Sequence, residues 1–183
     1  MKMFFKFNLV SAFIGACFTS VIAVELPKVE TYKLNNGLTV YLNSDQTVPN
    51  VFGAVVVKAG SNNEKYDATG LAHYFEHIMF KGTDKIGTLN WEMEKVYLDS
   101  IKDLYDSLFV TKDEPQRMVI QKKINKLNIK ASEYAIPNEV DKLLKYFGGT
   151  RVNAYTSFDR TVYHNYFPAN QLESWMNIYS ERF

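Results

Sequence analysis

The sequence predicts an α+β fold in which an antiparallel sheet is backed by helices and interrupted by an inserted helical hairpin. Three observations predict it. Strand-like runs bounded by turn residues occur near both ends of the chain. A short run at helical spacing follows the first strands. A long charged stretch with two apolar seams, each stepping by three and four, then separates that helix from the later strands. The composition suits one ordinary globular domain, with 46% hydrophobic and 22% charged residues among 183 and a formal net charge of +1. Lys and Arg alternate with Asp and Glu along the helical segments, which leaves no basic stripe for a phosphate backbone and excludes nucleic acid as a partner.

Lys2 and Lys6 open the chain, and an apolar stretch over residues 7–24 leads to Val21-Ile22-Ala23. This pattern reads as a secretory signal over residues 1–23, cut after Ala23, with the domain occupying residues 24–183. An uncleaved membrane anchor is the alternative reading. The single cysteine, Cys17, ends Ile14-Gly15-Ala16-Cys17 and looks like a bacterial lipidation site, although the apolar residues after it argue against one. A secreted or periplasmic protein of the bacterial cell envelope is expected, touching membrane only through the signal or a lipid on Cys17. Cut after Ala23, the mature chain has no cysteine, and its stability rests on packing and metal.

In the domain, Tyr32-Lys33-Leu34 and residues 38–42 flank Asn35-Asn36-Gly37, a hairpin signal. Residues 52–59, rich in Val without clean alternation, predict a strand buried on both faces. From 70 to 81 the residues Leu71, Tyr74, Phe75 and Ile78 predict a helix, with Thr69 as N-cap and Gly82 as stop. The hairpin arm occupies about residues 90–147. Its seams are Leu98, Ile101, Tyr105 and Leu108, then Ile120, Ile124, Leu127 and Ala131, divided by a helix start in which Thr111 and Glu114 form a capping box ahead of Pro115. The arm reads as a solvated structural insertion. Gly148-Gly149 closes it, and strands at 151–156 and 161–167 follow. A last helix begins at Asn170, with Glu173 as capping partner, and buries Leu172, Trp175, Met176 and Tyr179.

The chemistry is written at His73-Tyr74-Phe75-Glu76-His77. With Leu71 set at zero on a helix turning 100° per residue, Tyr74, Phe75 and Ile78 fall within about 60° of it, while Glu76, His73 and His77 fall near roughly 140°, 200° and 240°. The apolar set is therefore expected to face the core and the polar three to face away. Two imidazoles at i and i+4 lie one turn apart, close enough to share one metal ion, and histidine nitrogens suit Zn2+. Glu76 beside the second of them is placed to act as general base on a zinc-activated water, which predicts amide hydrolysis. An exposed polar helix face is the plain structural alternative, and a closed structural zinc module fits less well than an open catalytic site.

Residues 67–83, Leu34-Asn35-Asn36-Gly37-Leu38, and Gly148-Gly149 with Asn153-Ala154-Tyr155-Thr156-Ser157 and Thr161-Val162-Tyr163 together resemble, in order, the inverted-motif zinc peptidases of family M16, the family of pitrilysin, insulin-degrading enzyme and the mitochondrial processing peptidase. The resemblance implies the LuxS/MPP-like metallohydrolase fold, one Zn2+ per site held by His73 and His77, and Glu76 as the catalytic base. It implies that the strand carrying Asn153, Ala154 and Tyr155 binds an extended peptide substrate along its edge; ordinary strand packing is the alternative. It also implies a second M16-like domain or subunit, and a third zinc ligand, a Glu beyond residue 183, so that the C-terminal part of the domain is missing. Glu173 and Glu181 come too early in that pattern to be ligands, and His164 lacks a motif partner. The expected activity is that of a zinc-dependent metalloendopeptidase acting on peptides or unfolded segments. The alternative is a non-catalytic partner subunit or an inactive truncated fragment.

Overall fold

The computed structural model describes residues 28–183, so the expected signal segment and Cys17 lie outside the described residues. Two units are distinguished, divided between Gln46 and Thr47. In the first, β1 (Val29–Lys33) and β2 (Thr39–Asn43) form an antiparallel hairpin in which Val29 faces Asn43 and Lys33 faces Thr39. Gly37 takes φ 91° in the connecting turn, and the Asn36 side-chain oxygen accepts from the Leu38 N–H. Asn and Gly supply those two needs, which is why Asn-Gly marks the turn.

In the second unit β3 (Asn50–Val57), β4 (Thr150–Thr156) and β5 (Thr161–Pro168) form an antiparallel sheet in the order β3-β5-β4. A tight turn, closed by the Ser157 N–H on the Arg160 carbonyl, joins β4 to β5. The central strand is the most buried. Val162, Tyr163, Asn165 and Phe167 are all enclosed. Helices α4 (Glu139–Tyr146) and α5 (Leu172–Arg182) contribute Val140, Leu144, Ile178 and Tyr179 to a core with Tyr163. Asn165 is fully buried at its centre, where its side-chain oxygen accepts from Trp175 Nε1 at 2.8 Å and Tyr179 Oη at 3.0 Å. Two donors from α5 on one strand amide fix how that helix crosses the sheet.

β3 differs from expectation. Val51, Gly53 and Val55 alternate inward, but Phe52 and Val56 are each 53% exposed. Because among the described residues β3 has only β5 beside it and helices cover a single face, its Val-rich composition reflects strand preference rather than burial on both sides. In α5, likewise, Trp175, Ile178 and Tyr179 turn inward while Leu172 and Met176 remain exposed. That helix begins at Leu172 after a single 3-10 turn over Ala169–Gln171, and Glu173 sits exposed in its first turn.

Helices α2 (Trp91–Val110) and α3 (Glu114–Ser132) pack as a hairpin around Ile101, Ile124 and Ala131. The α2 seam is Tyr97, Ile101, Leu104 and Leu108, whereas Leu98 and Tyr105 point outward. Both registers contain Ile101 and Leu108 and both step by three and four, so spacing alone does not separate them. Asp113, not Thr111, caps α3, accepting from the Gln116 N–H at 3.0 Å; the Thr111 hydroxyl instead donates to the Ser107 carbonyl of α2. Arg117 Nη1 then bonds the Leu108 and Thr111 carbonyls and closes the bend. The stretch after Ser132 does not continue the hairpin, since α4 joins the sheet core.

Replacing Ile101 by Ala should cost about 2–5 kcal/mol of stability, and replacing Tyr105 by Ala no more than about 0.5 kcal/mol. Urea unfolding of the two variants checks the register, and the opposite ranking would refute it.

Candidate functional site

The motif lies on α1 (Leu71–Ile78), a helix of eight residues. Its N-cap is Gly70 at φ 88°, a left-handed conformation that carries little strain only in glycine. Gly70 has no side chain to offer the free N–H groups of the first turn. Glu64 supplies the cap instead of Thr69. Its Oε2 accepts from the Gly70 N–H and its Oε1 from the Ala72 N–H, each at 2.7 Å. At the other end the helix stops at Ile78, four residues short of Gly82, and the Met79 carbonyl accepts from Arg182 Nε at 3.0 Å. Arg182 is only 7% exposed and stacks over Phe80, Tyr163 and Tyr179, with burial pulling its pKa down. A carboxylate at the N-terminus and a guanidinium at the C-terminus both complement the helix dipole.

The helix is rotated from the expected orientation, since Glu76 turns inward while His73 and His77 stay exposed as expected. Glu76 is its one buried residue, while Leu71, Tyr74, Phe75 and Ile78 are all exposed. A helical wheel tells which residues share a face but not which face meets the sheet. Here the strands offer hydroxyls. Thr156 Oγ1 donates to Glu76 Oε2 at 2.6 Å, and the Thr161 hydroxyl, bonded to the Ala59 carbonyl at 2.9 Å, lies 3.4 Å from that of Thr156. Burial, and then the nearby Glu76 carboxylate, push the Tyr163 phenol above its ordinary pKa, with Arg182 opposing in part.

His73 and His77 flank this carboxylate on the exposed side, with ring centroids 4.8 Å apart and the two Nε2 atoms 3.2 Å apart. Two nitrogens bound tetrahedrally to one Zn2+ at ordinary bond lengths would lie about 3.3 Å apart. The pair therefore fits two positions of one zinc site. Among the described residues no group of three or more His, Cys, Asp or Glu completes it. Glu173 is solvated. Glu181 is engaged elsewhere, by Lys85 at 2.7 Å and Thr83 at 3.2 Å, and Lys85 holds its carboxyl below the usual range. His164 sits on the sheet face that bears Phe52 and Tyr155, its ring 5.5 Å and 6.3 Å from theirs.

Asn153, Ala154 and Tyr155 lie on β4, whose only partner among the described strands is β5. Val152 and Ala154 pack toward the helices, and Thr156 reaches α1 from the same face. By alternation Asn153 and Tyr155 point to the other face, and both are exposed. Main-chain groups of β4, together with the Thr156 hydroxyl, are therefore what this strand brings to the motif side. Sequence reasoning did not single out Thr156 or Glu64. The inward alternation of Val152, Ala154 and Thr156 could have flagged the first, whereas no spacing rule links a loop carboxylate at 64 to amides at 70 and 72.

Residues 39–97 match the family model described as Insulinase (Peptidase family M16). The β subunit of the mitochondrial-processing peptidase of Saccharomyces cerevisiae is 36% identical over 91 residues, which are 48% of this chain and 19% of that protein. A Bacillus subtilis protein named uncharacterized zinc protease YmxG is 34% identical over 55 residues, 30% of this chain and 13% of that protein. Among solved structures, a protease from Helicobacter pylori matches with a TM-score of 0.56 and 26% identity, covering 86% of this chain and 26% of that one. The chain thus spans about a quarter or less of the length of each of these proteins.

Thr156→Val should lower stability by about 1–3 kcal/mol, because the buried Glu76 carboxylate loses its donor, while Thr156→Ser should remain near wild type. Chemical denaturation of both variants checks this, and a Thr156→Val protein as stable as wild type would show that the hydrogen bond to Glu76 contributes nothing to stability.

Proposed function

We propose that this chain, whose residues 39–97 match the family model of peptidase family M16, provides the zinc-binding and proton-transferring helix of a metalloendopeptidase. The observation that carries the proposal is the His73–His77 pair, with Nε2 atoms 3.2 Å apart, beside the buried carboxylate of Glu76. His73 and His77 are two of the zinc ligands, and the third is a Glu from outside the described residues. Bound there, Zn2+ would supply a Lewis acid for the peptide carbonyl and an acidified water.

The protein's own groups then divide the remaining work. Thr156 occupies Glu76 Oε2, leaving Oε1 to take a proton during hydrolysis and return it to the leaving amine. The open edge of β4 receives an extended peptide through main-chain hydrogen bonds, a mode that tolerates many side chains and suits peptides or unfolded segments as substrates. A second M16-like domain or subunit encloses the substrate, in keeping with how little of its relatives this chain spans. The charged, apolar and small-residue order of residues 1–23 supports export to the periplasm or beyond. A non-catalytic M16-like subunit is the second reading.

Metal analysis and peptide cleavage by the full-length protein separate these readings. Glu76→Gln should keep stoichiometric zinc and lose about 10²–10⁴-fold in kcat, while His77→Ala should lose the metal. Undiminished cleavage by Glu76→Gln would remove Glu76 from the chemistry, and zinc binding without any cleavage by the wild type would leave the non-catalytic reading.

A further inference from the structure

We propose that Glu64 is a positioning residue for the metal-binding pair, its carboxylate fixing the first turn of α1 and thereby the separation of His73 and His77. The inference rests on reading those histidines as zinc ligands. His73 is only the third residue of an eight-residue helix. Helices this short are marginal on their own, and the N–H groups of their first turn lack intrahelical partners. Gly70 at the cap position gives them no side-chain acceptor. Glu64 is the acceptor, bridging the Gly70 and Ala72 N–H groups at 2.7 Å each, immediately before His73.

Glu64 is itself held at a defined place. It follows the 3-10 turn Ser61–Asn63, whose Ser61 and Asn62 N–H groups donate to the Ser157 and Phe158 carbonyls at 3.0 and 2.8 Å. Those carbonyls belong to the turn that leaves β4 directly after Thr156. The motif helix is therefore tied to one β4-β5 corner by two routes, Glu64 gripping its first turn and Thr156 gripping Glu76. Between the two attachments lies His73, and His77 immediately follows the second. A short helix so bracketed holds both Nε2 atoms at ligand spacing before a metal arrives, which is how groups outside the ligand set raise metal affinity.

The test uses the full-length chain and Zn2+ alone as probe. Glu64→Ala should weaken zinc binding by about 10–100-fold, and Glu64→Gln, which keeps one acceptor oxygen, should fall between it and wild type. Asp113→Ala removes a cap of the same kind from α3 in the distant hairpin and should leave zinc affinity unchanged. Amide hydrogen exchange in metal-free protein should accelerate at Gly70 and Ala72 in Glu64→Ala. Wild-type zinc affinity in Glu64→Ala, or an equal loss in Asp113→Ala, would overturn the proposal. A wild type that takes no zinc would overturn the metal assignment and this proposal with it, while exchange at Gly70 and Ala72 would still report whether Glu64 caps the helix.

Discussion

A carboxylate on the inner side of a short helix must be given a hydrogen-bond donor, and much of the arrangement around α1 follows from meeting that need at Glu76. Thr156 is the donor, at 2.6 Å. The bond turns the helix so that Glu76 faces the sheet, leaving His73 and His77 beside it and open to solvent. A helix docked by Leu71, Tyr74 and Ile78 would have carried Glu76 away from β4 and broken its link to Thr156. Unpaired, a buried carboxylate destabilises the fold; paired, it sets one orientation for the whole motif.

The sheet makes that pairing available through its strand order. β5 is central and joins β3, from before the motif, to β4, from after the helical hairpin. Because β4 lies at an edge, one of its sides carries no partner among the described strands, while its inward residues Val152, Ala154 and Thr156 still contact the helices. An edge without a strand partner and the donor to the buried Glu76 carboxylate thus reside on one strand. The buried Asn165 anchors α5 to β5, and α5 in turn carries Arg182 to the C-terminal end of α1. Polar contacts, rather than apolar area alone, specify how the helices sit on this sheet.

The hairpin of α2 and α3 is organised differently. It has its own small core of Ile101, Ile124 and Ala131 and its own cap and bend, formed by Asp113 and Arg117. Its charged pairs Lys95–Asp99 and Lys102–Asp106 are exposed and at helical spacing. Pairs of this kind keep a long helix soluble and contribute little else.

By itself the sequence determined the α+β class, the position of nearly every strand and helix, and the place of His73, Glu76 and His77 together on one helix. Such features are local, since turn residues, periodicity and side-chain type act within a few positions of one another. It also carried the family resemblance that the chain's fold bears out. Tertiary structure decided which face of α1 is buried, which of two equivalent seams closes the hairpin, that β3 is covered on one side only, and that Asn153 and Tyr155 point away from the motif. It alone brought Glu64 to the start of α1 and Thr156 to Glu76, residues 80 positions apart in the second case. Faces and registers are settled by which partners the rest of the chain presents. That information lies in contacts between distant segments, and no window of sequence around the motif contains it.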